Sequence, residues 1–201
     1  MNEMERRLRT AAAGLPAAAP ELAIADRAAE EGLLDVAYAA VDSPLGRLTV
    51  AATPRGLVRV SYDELRGSEE TLEDLARRVS PRVLEAPARL DPIRRELDEY
   101  FDGRRTAFDL PIDWVLTAGF AREVLRATAR IGYGQVSSYA HVAAEAGSPR
   151  ATRAAGNALG SNPVPVVVPC HRVLRTGGGL GGYTGGLERK EFLLRLEGAL
   201  L

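Results

Sequence analysis

Residues 162–173 read NPVPVVVPCHRV, and the fold prediction starts from this stretch. Its run of valines and prolines favours a buried strand. The three prolines cannot donate hydrogen bonds to a neighbouring strand, so we expect the strand to be irregular or to lie at a sheet edge. Pro169 stiffens the backbone directly before Cys170, and two basic residues, His171 and Arg172, follow it. The stretch therefore predicts a buried segment that carries a cysteine in basic surroundings.

Cys170 is the only cysteine of the 201 residues, so no disulfide can form within the chain. A lone cysteine is most often a small buried apolar residue. A reactive one needs a lowered pKa or a nearby base, because the thiolate is the nucleophile. Neighbouring residues of an extended strand point to opposite faces, so His171 could serve Cys170 only through a backbone turn or a bridging water. This disfavours a cysteine hydrolase and permits a milder activation suited to a single use. Arg172 either tunes the local charge or belongs to a structural ion pair.

The composition points to neither a metal nor a cofactor. One cysteine and two histidines, His141 and His171, do not assemble a convincing zinc site. The glycines match neither a phosphate-binding loop nor a dinucleotide fingerprint. No run of about 18 apolar residues exists, so we expect a cytoplasmic protein that does not enter the membrane.

The segment RTGGGLGGYTGGLERK, residues 175–190, contains seven glycines around Tyr183 and Thr184. It is either a flexible loop or the wall of a pocket for a flat polar ring. The helix that follows, ERKEFLLRLEG, is predicted to bury Phe192, Leu193 and Leu196. It ends near Glu197, and an acidic residue there opposes the helix dipole, which predicts a specific partner such as a histidine.

Three helical patterns precede the cysteine segment. They are GFAREVLRATARI, then SYAHVAAEAG with Ser137 or Ser138 as its cap, and then RATRAAGNALG. The last two form a helix-turn-helix candidate. The small residues of the third helix indicate close packing, either on the protein or in a DNA groove. Residues 117–201 carry a net charge of +5 against −6 for residues 1–116, which fits a polyanionic partner for the second part.

The first half of the chain reads as sheet and helices. DVAYAAVD, RLTVAA and LVRVSY alternate with period two and are separated by turns, which predicts an antiparallel meander. SEETLEDLARRV and DPIRRELDEYF are predicted helices capped by Ser68 and Asp91, and TAFDLPIDW a strand that leads into a linker. We therefore predict an α/β (α+β) fold. Its parts are a helical or loose extension at 1–34, an N-terminal antiparallel-sheet domain with helices at 35–116, and a C-terminal winged-helix or helix-turn-helix domain at 117–201.

From Phe120 to Gly198 the chain resembles the O6-alkylguanine-DNA alkyltransferases, the methylated-DNA–protein-cysteine methyltransferases. The matching motifs are GQVSSYAHVA, RATRAAGNALGSNPVPVVVPCHRV, GGLGGYTGGLERKEFLL and LEG. Residues 35–116 resemble the family's N-terminal domain more loosely. The resemblance implies double-stranded DNA carrying O6-alkylguanine as the partner, and a monomer, with cooperative assembly along DNA left open. It implies irreversible, stoichiometric transfer of the alkyl group after nucleotide flipping, without a cofactor.

The resemblance also implies roles for five catalytic residues. Cys170 would accept the alkyl group, and His171 would act as its base through a water. Glu197 would orient and charge that histidine. Asn162 would fix the hinge between the helix-turn-helix and the cysteine segment, and Tyr183 would donate a hydrogen bond to the guanine ring.

Four more residues are implied to bind the substrate. Arg153 would fill the gap left by the flipped nucleotide, and Tyr139 would crowd the adjacent phosphate. Val173 would offer its backbone carbonyl to the exocyclic amine, and Thr184 would meet O6 through its hydroxyl or amide.

Two other classes compete with this interpretation. A non-enzymatic winged-helix protein that binds alkyl lesions would share the helix-turn-helix and the pocket, but such proteins lack the acceptor cysteine. A winged-helix regulator with an incidental cysteine would explain neither Asn162 nor the PCHR run. One departure from the family is Ile131-Gly132, where relatives carry proline after the isoleucine.

Overall fold

The computed structural model describes residues 27–28 and 31–200. Most of the predicted extension at 1–34 therefore lies outside the described residues. In the described ranges, no helix is both long and apolar enough to cross a membrane.

A four-stranded sheet forms the first half of the fold. Its strands are β1 (Val36–Val41), β2 (Leu48–Thr53), β3 (Gly56–Tyr62) and β4 (Val83–Glu85), in the order β3-β2-β1-β4. The antiparallel meander β1-β2-β3 is as predicted, and β4 adds a short parallel edge beside β1. The alternation of the sequence did not reveal β4, because three residues are too few to establish a period.

Besides the helical residues 27–28, seven α-helices lie in the described part of the chain. They are α1 (Asp63–Arg66), α2 (Ser68–Arg78), α3 (Asp91–Phe101), α4 (Gly119–Ala129), α5 (Tyr139–Glu145), α6 (Thr152–Gly160) and α7 (Leu187–Leu196). Three 3-10 turns, at Pro87–Leu90, Trp114–Leu116 and Cys170–Arg172, and a two-stranded parallel pair, β5 (Ser137–Ser138) with β6 (Val173–Leu174), complete the set.

Both helix caps predicted in the first half are wrong. Ser68 is the first residue of α2 and follows the N-cap Gly67, whose φ of 65° turns the chain after α1. Asp91 is the first residue of α3 because the preceding 3-10 turn runs directly into the helix. Both first turns remain acidic, which favours the helix dipole.

The strand predicted at TAFDLPIDW is also wrong. Only an isolated bridge joins Leu57 to Ile112 there. Pro111 has no N–H to continue a ladder, but its carbonyl accepts from the Leu57 amide at 2.8 Å. A side chain at Gly56 would place its Cβ 2.2 Å from that carbonyl oxygen, so the close approach requires glycine.

Helices α4, α5 and α6 form the expected helical part of the second half. Ser138 is the cap of α5, and its hydroxyl accepts from the His141 amide at 3.1 Å. On α6, Ala155 and Ala158 are buried in the protein, whereas Arg153 is exposed. The small residues of this helix therefore pack on the protein along one face and leave the other face open.

One apolar core spans both halves of the fold. Leu97 and Tyr100 of α3 belong to the same buried cluster as Val124 of α4 and Leu193 of α7. A smaller cluster, centred on Leu75 of α2, covers the other face of the sheet. Phe192, predicted to be buried, is 37% exposed, whereas Leu193 is buried as predicted and Leu194 is buried beside it.

Candidate active site

The cysteine segment is buried throughout, and only its last residue, Val173, belongs to a strand, the two-residue β6. Residues 162–173 are all buried, and they run through turns and bends into the 3-10 turn at Cys170. The strand prediction is therefore wrong, because the prolines prevent ladder pairing. Val166 adopts a φ of 73°, a strained conformation for a β-branched residue that only well-determined surroundings maintain.

Asn162 holds this irregular backbone together. Its Oδ1 accepts from the Val164 amide at 3.1 Å, and its Nδ2 donates to the Val168 carbonyl at 2.8 Å. The same Nδ2 lies 3.1 Å from the Cys170 sulfur. Asn162 thus fixes the turn and places a hydrogen-bond donor on the sulfur.

Cys170 lies in the wall of a cavity of about 390 Å³. The cavity is lined by Tyr139, Gly156, Leu159, Gly160, Cys170, Gly182, Tyr183 and Thr184. Burial raises the pKa of the thiol to about 11, although the Asn162 donor acts in the opposite direction. At neutral pH the sulfur carries its proton, so chemistry at Cys170 needs a base.

His171 is fully buried beside the thiol in sequence, and the 3-10 turn replaces the extended geometry that would separate the two side chains. Its Nε2 lies 2.9 Å from Oε1 of Glu197, while its Nδ1 has no hydrogen-bond partner among the described residues. Burial lowers the pKa of His171, with the Glu197 contact opposing this. A neutral ring that donates from Nε2 therefore keeps its Nδ1 lone pair available to accept a proton.

Glu197 is the centre of a buried polar network. Arg172 donates from Nε to Oε2 and from Nη2 to Oε1, both at 2.8 Å, and the Tyr100 hydroxyl donates to Oε1 at 2.6 Å. Burial alone would raise the pKa of this carboxyl, but hydrogen bonds from His171 and Arg172 lower it to about 2. The unusual acid at the helix end therefore has the expected histidine partner, and Arg172 belongs to a structural ion pair.

The glycine-rich segment forms the opposite wall of the cavity. The Tyr183 hydroxyl lies 2.7 Å from that of Tyr62, and Thr184 donates to the Gly160 carbonyl at 3.0 Å. A Cβ added at Gly181 would come within 2.6 Å of the Tyr139 hydroxyl, so this glycine is required by close packing. Between residues 181 and 186 the segment is thus a pocket wall, whereas 177–179 form an exposed turn.

Lys190 connects the cysteine segment to the glycine-rich segment through hydrogen bonds. Its amine is buried and donates to the carbonyls of Val173 at 2.7 Å, Gly182 at 3.3 Å and Leu180. Burial lowers the pKa of Lys190 to about 8. The Val173 carbonyl that was predicted to meet a substrate amine thus already accepts a hydrogen bond from Lys190.

Eight of the nine predicted site residues, including Tyr139 of α5, line one cavity or lie directly behind its wall. Arg153 stands apart on the exposed face of α6. Sequence reasoning missed Tyr62, Tyr100 and Lys190. No group of three His, Cys, Asp or Glu residues that could hold a metal ion occurs in the part of the chain that was described.

Two family models match the chain. The family model for the 6-O-methylguanine DNA methyltransferase, DNA binding domain, matches residues 119–199. The model for the ribonuclease-like domain of the same protein family matches residues 36–114. Together the two matches cover most of the chain.

Individual relatives match over most of their length. A methylated-DNA–protein-cysteine methyltransferase of Mycolicibacterium paratuberculosis is 40% identical over 162 residues, or 81% of this chain and 92% of the relative. The constitutive enzyme of that name from Bacillus subtilis is 37% identical over 163 residues, 80% of this chain and 94% of the relative. The crystal structure of Mycobacterium tuberculosis OGT in complex with DNA aligns with a TM-score of 0.68 and 36% identity, covering 80% of this chain and 92% of that one. This chain belongs to the 6-O-methylguanine DNA methyltransferase family.

Proposed function

We propose that this protein repairs DNA by transferring the alkyl group of O6-alkylguanine irreversibly to Cys170. The observation that carries the proposal is one cavity that Cys170 lines, while the neighbouring His171 pairs with Glu197 in the protein interior. The names of the relatives, methylated-DNA–protein-cysteine methyltransferases, support the reaction. The similarity to a protein crystallised with DNA supports the partner.

Activation of the thiol begins with a proton leaving the sulfur. His171 accepts it at Nδ1 through a water molecule, and the Glu197 carboxylate stabilises the resulting imidazolium at Nε2. The Asn162 amide donates to the sulfur and stabilises the thiolate that forms. The raised pKa of Cys170 keeps the sulfur protonated and unreactive until a substrate occupies the pocket.

The thiolate then displaces the purine from the alkyl carbon. A carbon–sulfur bond forms, the bond from carbon to O6 breaks, and its electron pair stays with the leaving guanine. A hydrogen bond from Tyr183 to the purine ring stabilises that developing negative charge. The thioether product has no route back to a thiol, so each protein molecule acts once.

Access to the lesion requires the nucleotide to leave the DNA stack. We propose that α6 approaches the minor groove, where its small residues allow close contact, and that Arg153 fills the gap. Tyr139 would crowd the neighbouring phosphate, and Val173 and Thr184 would bind the amine and O6 of the base.

The division into domains at 35–116 and 117–201 is supported by two family matches that meet between residues 114 and 119.

Replacing Arg153 with alanine should slow repair of duplex DNA by roughly tenfold to a hundredfold, since flipping costs a few kcal/mol that the arginine partly offsets. Repair of the same lesion in a single-stranded oligonucleotide should change little, because no gap in a stack needs filling. Single-turnover rates on the two substrates measure this difference. Equal losses on both would show that Arg153 contributes only general affinity for DNA.

The transfer rate should stay constant from neutral pH down through the usual histidine range near 6.5 and fall only in more acidic solution. This direction of the pH dependence is expected because His171 must be neutral to accept a proton, and burial lowers its pKa. Rates on single-stranded substrate across this pH range test the point. A decline that begins above pH 7 would contradict it.

The function itself is tested by supplying alkylated duplex in several-fold excess over the protein and counting repaired lesions. We expect a burst that stops at one lesion per protein molecule. Continued turnover would overturn the single-use proposal. Binding of the lesion without any repair would favour the lesion-binding alternative.

A further inference from the structure

Tyr62 is the last residue of β3, so it belongs to the N-terminal sheet, yet its side chain reaches the wall of the alkyl pocket. It is 3% exposed, and its hydroxyl oxygen lies 2.7 Å from that of Tyr183. The two rings meet edge to face with centroids 6.4 Å apart. A residue 121 positions away thus contacts the one phenol that the proposed mechanism uses as a donor.

The direction of this hydrogen bond decides what Tyr183 can do. Each phenol has a single hydroxyl hydrogen. If Tyr183 donates its hydroxyl hydrogen to Tyr62, Tyr183 cannot donate a hydrogen bond to the purine. If Tyr62 donates to Tyr183, the hydrogen of Tyr183 remains free for the leaving base.

The surroundings favour Tyr62 as the donor. The guanidinium of Arg189 lies 5.0 Å from the centroid of the Tyr62 ring. Burial raises the pKa of both phenols, but the Arg189 charge acts against this rise at Tyr62. A cation beside the Tyr62 ring polarises its hydroxyl group, and this favours Tyr62 as the hydrogen-bond donor of the pair.

Tight packing holds the pair in this geometry. Gly185 lies between the two rings, where a Cβ would come within 2.7 Å of Tyr183 Cε1 and 2.8 Å of Tyr62 Cε2. The rings close around the backbone and leave their hydroxyls little freedom to separate.

We propose that Tyr62 is a positioning residue for alkyl transfer, which donates its hydroxyl hydrogen to Tyr183 and so directs the hydrogen of Tyr183 toward the leaving purine. The inference rests on the proposed function. Hydrogen bonds in a chain polarise one another, so the Tyr62 bond strengthens the Tyr183 bond as negative charge develops on the purine. The benefit appears in the transition state and not in binding of the intact lesion.

The test is a cycle of Tyr62→Phe and Tyr183→Phe, singly and together, with Tyr38→Phe as the control for loss of a hydroxyl elsewhere in the same sheet. The substrate is a single-stranded oligonucleotide with O6-methylguanine, at saturating concentration and single turnover. Affinity is measured separately by fluorescence anisotropy in a Cys170→Ser background, where no transfer consumes the complex. Thermal unfolding of every variant checks that the fold is kept.

Tyr62→Phe should slow transfer about fivefold, the usual effect of one neutral hydrogen bond, with affinity unchanged. In the Tyr183→Phe background the same change should slow transfer by less than about twofold, because the Tyr183 hydroxyl through which Tyr62 acts is absent. Equal slowing in both backgrounds, weakened binding that accounts for the slowing, or no slowing at all would overturn the inference. Failure of the unsubstituted protein to be methylated would instead overturn the proposed function.

Discussion

Replacing Cys170 with alanine should abolish alkyl transfer completely and leave binding to alkylated duplex intact. The sulfur is the only thiol of the chain, and the cavity wall offers no other soft nucleophile. The contacts proposed for DNA and for the flipped base lie at other residues, on α5, α6 and β6 and in the glycine-rich segment. Mass spectrometry of the protein after incubation, together with a binding isotherm on the same duplex, measures both effects.

Cys170→Ser is the matched control for this change, since it keeps the size of the side chain and the hydrogen bond from Asn162. A serine hydroxyl is far more difficult to ionise than a thiol, so we expect no transfer from it either. An alkyl adduct on the Cys170→Ala variant would place the acceptor at a different residue.

Replacing Glu197 with glutamine should both slow the reaction and destabilise the fold. The amide cannot balance the charge of buried Arg172, and breaking a buried ion pair costs about 3–5 kcal/mol of unfolding free energy. Loss of the negative charge behind His171 should also lower the transfer rate by about a hundredfold or more. Urea unfolding and single-turnover kinetics measure the two effects separately.

The pH dependence of this destabilisation has a definite sign. The pKa of Glu197 is lowered from 4.5 to about 2, so its stabilisation is fully present above 4.5 and is lost as pH falls toward 2. The difference in unfolding free energy between Glu197→Gln and the unsubstituted protein should therefore decrease as the pH falls from 4.5 to about 2. Glu191→Gln on the same helix serves as the control and should alter neither stability nor rate. A difference in unfolding free energy that increases in acid would contradict the lowered pKa of Glu197.

Local patterns predicted much of the fold. The period-two alternation identified β1, β2 and β3, and the two serines before Tyr139 indicated the start of α5, where Ser138 is the cap. Patterns failed where a distant partner decides the local structure. The edge strand β4 exists because β1 offers a parallel partner, and the segment before Cys170 is shaped by Asn162 and not by strand pairing.

The candidate site shows the same division. Cys170, His171 and Glu197 could be selected from the sequence, since a thiol between proline and histidine and an acid against a helix dipole are local signals. Tyr62 and Tyr100 could not, because they act on Tyr183 and Glu197 from 121 and 97 residues away. Lys190 carried no signal of burial, because a lysine near the start of a helix is normally solvated.

The most direct test of the central claim is to map the modified residue after reaction with a duplex that contains one O6-methylguanine. The account predicts a single methyl group on the peptide that contains Cys170, in amounts equal to the guanine restored. A methyl group on any other residue, or restored guanine with an unmodified protein, would contradict it.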